Sequence, residues 1–75
     1  MTPLPDLQLG SDGVLSRIES EDGQRRRLME MGLVPGTTVR LIRRARVGDV
    51  IEVEGRGYRV ALRLSEAKAL LIESA

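Results

Sequence analysis

The sequence predicts a mainly β, small α+β domain: a barrel of about five short strands, with one helix inserted after the first strand and a short helical turn before the last. Three observations predict it. Short stretches of alternating apolar and polar residues recur, separated by glycine-containing turns, which is the pattern of a small curved sheet. One stretch changes to a helical period and stops abruptly at Gly32. The chain is 75 residues long, enough for one domain, 1–75, with a thin core and no linker.

The elements follow in order. Residues 1–12 read as an irregular lead-in with two prolines, Pro3 and Pro5, and Leu7 and Leu9 are expected to pack onto the domain. Gly10-Ser11-Asp12-Gly13 is a turn cluster. Val14 to Glu19 alternates as the first strand, with apolar residues on both faces, so the inner face is not assignable from the pattern. The helix is expected over Asp22–Met31. Ser20 or Asp22 supplies its cap, and Glu21 and Asp22 suit its positive end. Leu28 and Met31 share a face with Gln24, while Arg25, Arg26 and Arg27 spread around the rest. Gly32 stops the helix because a left-handed residue needs no Cβ, and Leu33 takes the apolar position that follows such a stop. Pro35-Gly36 is a turn, since Pro presets φ and Gly supplies positive φ.

Thr37 to Arg46 is the next strand. Val39 and Leu41 face one way and Arg40 the other, until Ile42 breaks the alternation, as a bulge or bend does. Val47-Gly48-Asp49 turns the chain. Val50 to Glu54 sets Ile51 and Val53 against Glu52 and Glu54. Gly55-Arg56-Gly57 is a hairpin turn. Tyr58 to Leu64 places Tyr58, Val60, Leu62 and Leu64 opposite Arg59, Ala61 and Arg63. Ser65 caps a short helix over 66–69, and Leu70 to Ile72 closes the sheet.

Composition excludes several classes of function. There is no Cys or His, so thiolate and imidazole metal sites, Cys nucleophiles and Ser-His triads lack their parts. Cofactor and metal residues are therefore expected to be none. Carboxylates leave a weak oxygen-ligand site open, with Glu30, Glu52 and Glu54 its candidates; pairing of Glu52 and Glu54 with Arg40, Arg44, Arg59 or Arg63 on neighbouring strands is the plainer reading. Gly55-Arg56-Gly57 lacks the spacing of a phosphate loop. No apolar run is long enough to span a membrane, and residues 1–10 lack the regions of a signal peptide, so a cytoplasmic location is expected. Lys plus Arg is 12 against 11 Asp plus Glu, a balance that argues against charge-driven nucleic-acid binding. Lys68 is the only Lys; the arginines suit forked contacts to carboxylates at protein interfaces, and Arg25-Arg26-Arg27 do not share one helix face. Met29 and Met31 read as packing residues, not thioether ligands.

The ordered set LMEMGLVPGTTVRLIRR and GDVIEVEGRGYRVALRLSEAKALLIE, within Gly13–Glu73, resembles the FeoA family, ferrous iron transport protein A. Leu28, Met31, Gly32, Leu33, Pro35, Gly36, Gly48, Asp49, Gly57 and Tyr58 carry the pattern. The resemblance implies an SH3-like barrel and a cytoplasmic, non-enzymatic accessory protein of bacterial ferrous iron uptake. It implies a partner, the FeoB membrane transporter with its cytoplasmic G-domain, and neither nucleic-acid binding nor membrane insertion. On that reading the partner-binding candidates are Arg25, Leu28, Met29, Met31, Leu33, Arg44 and Arg56. An exposed strand edge leaves weak homo-oligomers open. The fold type is also similar to the C-terminal domain of iron-dependent repressors, so metal-dependent transcriptional regulation is one alternative and weak transition-metal binding another.

Overall fold

In the computed structural model, which describes residues 1–45 and 48–74, the alternating stretches become six strands: β1 (Thr2–Pro3), β2 (Asp12–Ile18), β3 (Thr38–Arg44), β4 (Val50–Gly55), β5 (Tyr58–Arg63) and β6 (Leu70–Ser74). Helix α1 spans Asp22–Glu30 and the single turn α2 spans Leu64–Ala67. All pairings are antiparallel, in the order β1-β6-β2-β3-β4-β5. β6 lies between β1 and β2, so both ends of the described chain enter one sheet. α2 packs on β4, β5 and the 3-10 turn at Leu4–Asp6. That contact brings the two ends of the sheet toward each other and gives the mainly β, SH3-like barrel.

The lead-in corrects the first expectation. It is irregular only over residues 7–11: Thr2 and Pro3 pair with Ile72 and Leu71, and Leu4 is fully enclosed in the core. Leu7 packs against the core as expected, but Leu9 is 56% exposed. A two-residue strand gives no alternation to detect, so the sixth strand was invisible to a pattern reading.

Two bulges explain the uncertain faces. In β2 the register shifts between Leu15 and Arg17, so Leu15 and Ile18, three apart, both point inward. In β3 it shifts between Leu41 and Arg43, which is the break expected at Ile42. Such an insertion bends the strand and increases its twist, as a small barrel requires. β3 is described to Arg44; the expected strand end at Arg46 and turn start at Val47 lie outside the described residues. In β5, Leu62 is buried and Val60 packs partly on the core, whereas Tyr58 is exposed; Leu64, expected to end this strand, packs partly on the core from α2. The short helix begins at Leu64, ahead of the expected Ser65 cap, because the Arg63 N–H donates to Glu66 Oε1 at 2.9 Å.

The core is aliphatic. Leu4, Leu15, Ile18, Leu28, Leu33, Val39, Leu41, Ile51, Val53, Leu62, Leu70 and Ile72, with Ala67 and Ala69, form one cluster. β2 and β6 touch closely enough that a Cβ on Gly13 would sit 2.2 Å from Ile72 Cγ2.

Candidate functional site

Helix α1 is held at both ends by local chemistry. Its N-cap is Glu21, not Ser20 or Asp22: the Gln24 N–H donates to Glu21 Oε1 at 3.2 Å. Ser20 instead donates its hydroxyl to Gln24 Oε1. At the other end the Gly32 N–H bonds Met29 O at 3.0 Å and the Leu33 N–H bonds Leu28 O at 3.1 Å. These are the two bonds of a Schellman ending. Gly32 has φ +96° and Leu33 is buried, as the sequence predicted. The Thr37 N–H then bonds Val34 O at 3.1 Å across Pro35-Gly36, with φ +96° at Gly36, a type II turn. That turn aims the chain back onto β2, where the Leu15 N–H donates to Thr37 O at 2.8 Å.

A contact that the sequence reading missed completes this end. The hydroxyl of Tyr58, the only aromatic residue, donates to Met31 O at 2.9 Å. A Cβ on Gly32 would lie 1.6 Å from that hydroxyl. Gly32 is therefore required twice, for its backbone angle and for the space that Tyr58 occupies. Tyr58 starts β5 directly after the hairpin turn at Arg56 (φ +55°) and Gly57 (φ +84°), a pair of left-handed residues that fits a type I′ turn. The hairpin and the helix end thus form one surface, with Tyr58 46% and Met29 40% exposed.

The sequence candidates fall into three groups. Met31 accepts the Tyr58 bond, Arg56 sits in the turn before Tyr58, and Met29 is exposed on the last turn of the same helix. Arg25 is on the exposed helix surface, paired with Asp22 at 2.5 Å. Leu28 and Leu33 are enclosed in the core and offer no surface to a partner. Arg44 lies at the other end of β4: it faces Ile51, whereas Gly55, next to Arg56, faces Val39 and Tyr58. The separation along the strand is roughly 15 Å. There Arg44 donates to Pro5 O at 2.7 Å and Leu7 O at 2.6 Å, which ties the lead-in to β3.

Carboxylates on the sheet lie opposite arginines. Glu52 pairs with Arg43 at 2.6 Å, a partner outside the expected set. Glu54 lies across from Arg40 on one side and Arg59 on the other. Arg40 makes a forked contact with Asp12, at 2.6 and 3.1 Å. The Arg40 hydrogen bond holds the Asp12 carboxyl below its ordinary range, and Asp12 raises Arg40 in turn. Among the described residues, no three Asp or Glu converge as a metal site. No described helix is long and apolar enough to cross a membrane.

Known proteins resemble the chain along most of its length. The FeoA domain matches residues 2–74. Over 70 residues, 93% of this chain, it is 31% identical to a Porphyromonas gingivalis protein that fuses Fe(2+) transport protein A to the Fe(2+) transporter FeoB; the chain spans 8% of that protein. The NMR structure of a FeoA-like protein from Clostridium acetobutylicum is 38% identical, with TM-score 0.85 over 99% of this chain and 90% of that one. FeoA of Stenotrophomonas maltophilia, crystallised with zinc, is 32% identical, with TM-score 0.82 over 97% and 91%. It is described as a prokaryotic SH3 domain protein, with a suggested role as a ferrous iron transport activating factor. A manganese-dependent transcriptional repressor shares the fold alone, at 21% identity and TM-score 0.89 over 99% of this chain and 41% of that one.

Proposed function

The chain belongs to the FeoA domain family, which is associated with ferrous iron transport, and on that premise we propose that it is a non-enzymatic cytoplasmic accessory protein that binds the cytoplasmic part of a FeoB-type transporter. One observation carries this reading: a relative 31% identical to the chain joins the two functions in one polypeptide. Covalent linkage keeps two modules at high mutual concentration, and that serves modules that act on each other. The surface of Tyr58, Met29, Met31 and Arg56, with Arg25 on the same helix, is the part of the domain best suited to the contact. Aromatic, Met and Arg side chains are enriched at interface cores, and here the first three are fixed by the helix stop and the hairpin.

The test is titration and co-purification with the cognate G-domain in its nucleotide-free, diphosphate and triphosphate states. Met29→Asp and Arg56→Glu weaken binding, while the conservative Arg44→Lys leaves it intact. Absence of binding in every state, with normal ferrous iron uptake in a deletion strain, refutes the proposal. The alternative of weak divalent-cation binding has less support, because Glu52 is paired with Arg43 and Glu54 lies between two arginine-bearing strands. Calorimetry with ferrous and manganous ions is expected to give a flat trace. Regulation of transcription rests on a likeness of fold, which transfers no site.

A further inference from the structure

The two edges of the sheet differ. β1 is two residues long and contains Pro3, so it offers little to a further strand. β5 is six residues long and pairs with β4 without a register shift. It has no Pro, no bulge and no inward-pointing charge; of the devices that blunt an edge it carries the outward charges of Arg59 and Arg63.

The register shows which groups that edge presents. Gly55 and Tyr58 close the two-residue turn, and in such a hairpin the closing pair is hydrogen-bonded. Bonded and non-bonded pairs then alternate. Val60 and Leu62 therefore bond to β4 through Val53 and Ile51, and the N–H and C=O groups of Arg59 and Ala61 point away from β4; the Arg63 N–H is taken by Glu66 Oε1 and its C=O opens α2. Arg59, Ala61 and Arg63 are exposed. Among the described residues, Arg59 and Arg63 make no ion pair. Past Arg63 the edge opens into a groove of about 470 Å³ lined by Gly48, Asp49, Arg63, Leu64, Ser65 and Lys68.

We infer that β5 is a strand-addition site for an extended acidic peptide segment, bonded to the backbone of Arg59 and Ala61 with its carboxylates against the side chains of Arg59 and Arg63. Charge decides the occupant. In an antiparallel pairing of two copies centred on Ala61, Arg59 of each would face Arg63 of the other, and like charges directly opposite are unfavourable. The same two arginines attract Glu or Asp at the alternate positions of an incoming strand, and small Ala61 leaves the middle clear. This site does not depend on the transporter reading, since any protein carrying such a segment would fit.

The experiment uses the intact chain and three labelled peptides of one length, read by fluorescence anisotropy and amide hydrogen exchange. One alternates Glu with Val, one replaces Glu by Lys, and one is the Glu peptide with alternate backbone amides methylated on its bonding edge. The Glu peptide binds and slows exchange at Arg59 and Ala61; the Lys peptide binds about tenfold more weakly or not at all, two reversed charge pairs accounting for the difference. Methylation abolishes binding although charge is unchanged, and R59E/R63E reverses the charge preference. No binding of the Glu peptide, equal binding of its methylated form, or a dimer of the chain that Ala61→Pro abolishes would each overturn the inference.

Discussion

Replacing Gly32 by Ala tests the central feature of the helix end, and its cost is composed of two separable parts. The first is conformational. At φ +96° an L-residue is strained by about 1–2 kcal/mol. The second is steric. The new Cβ would lie 1.6 Å from the Tyr58 hydroxyl and 2.8 Å from its Cζ, so the ring must leave. Tyr58 is 46% exposed and swings outward without disturbing the core, so the steric part is limited to the lost contact. That contact is the hydrogen bond to Met31 O, about 0.5–1.5 kcal/mol. The sum is about 1.5–3.5 kcal/mol, which for a domain of this size lowers the melting temperature by roughly 6 °C or more. Urea or thermal unfolding measures it. A double-mutant cycle separates the parts: in a Tyr58→Ala background, Gly32→Ala loses only the conformational part, leaving a coupling of about 1 kcal/mol. A coupling below about 0.3 kcal/mol would refute the contact with Tyr58. A single-variant cost below about 0.5 kcal/mol would refute the left-handed stop as well.

Further outcomes are expected elsewhere. Leu4→Ala removes a fully enclosed side chain and destabilises by about 2–5 kcal/mol in chemical denaturation; an irregular lead-in would tolerate it. Arg44→Ala frees Pro5 O and Leu7 O, costs about 1 kcal/mol, and raises hydrogen exchange and proteolysis in residues 2–7 before the rest of the chain. Asp12 has a carboxyl lowered in the folded state by Arg40. Its contribution is therefore complete above the unfolded carboxyl value, about 3.9, and is lost as pH falls through the lower folded value. Unfolding of wild type and Asp12→Asn, compared from pH 7 downward, should show a stability difference that is constant at neutral pH and closes in the acid range. A difference that widens on acidification would contradict the Asp12–Arg40 geometry.

The legible parts of this protein share one property: their cause lies within a few residues. The stop at Gly32, the turn at Pro35-Gly36, the hairpin at Arg56-Gly57 and the bulge at Ile42 were all read from local chemistry, because backbone angle and alternation are properties of neighbouring residues. The helix cap was less legible, since Ser20, Glu21 and Asp22 all offer an oxygen and only the chain's entry angle selects Glu21. Of the interaction candidates, residue type alone did not separate exposed Met29 from enclosed Leu28, its neighbour in sequence; the position of the core does.

The sequence by itself determined the class, a small β domain with one inserted helix and an aliphatic core, and it carried the pattern of the FeoA family. Only the tertiary structure decided the rest. It brought Tyr58 onto Gly32 across 26 positions and Arg44 onto Leu7 across 37, it paired Glu52 with Arg43, and it left β5 as an open edge. Such contacts join residues distant along the chain, and their partners are chosen by register and by the curvature of the whole sheet. A pattern read over neighbouring residues contains neither quantity.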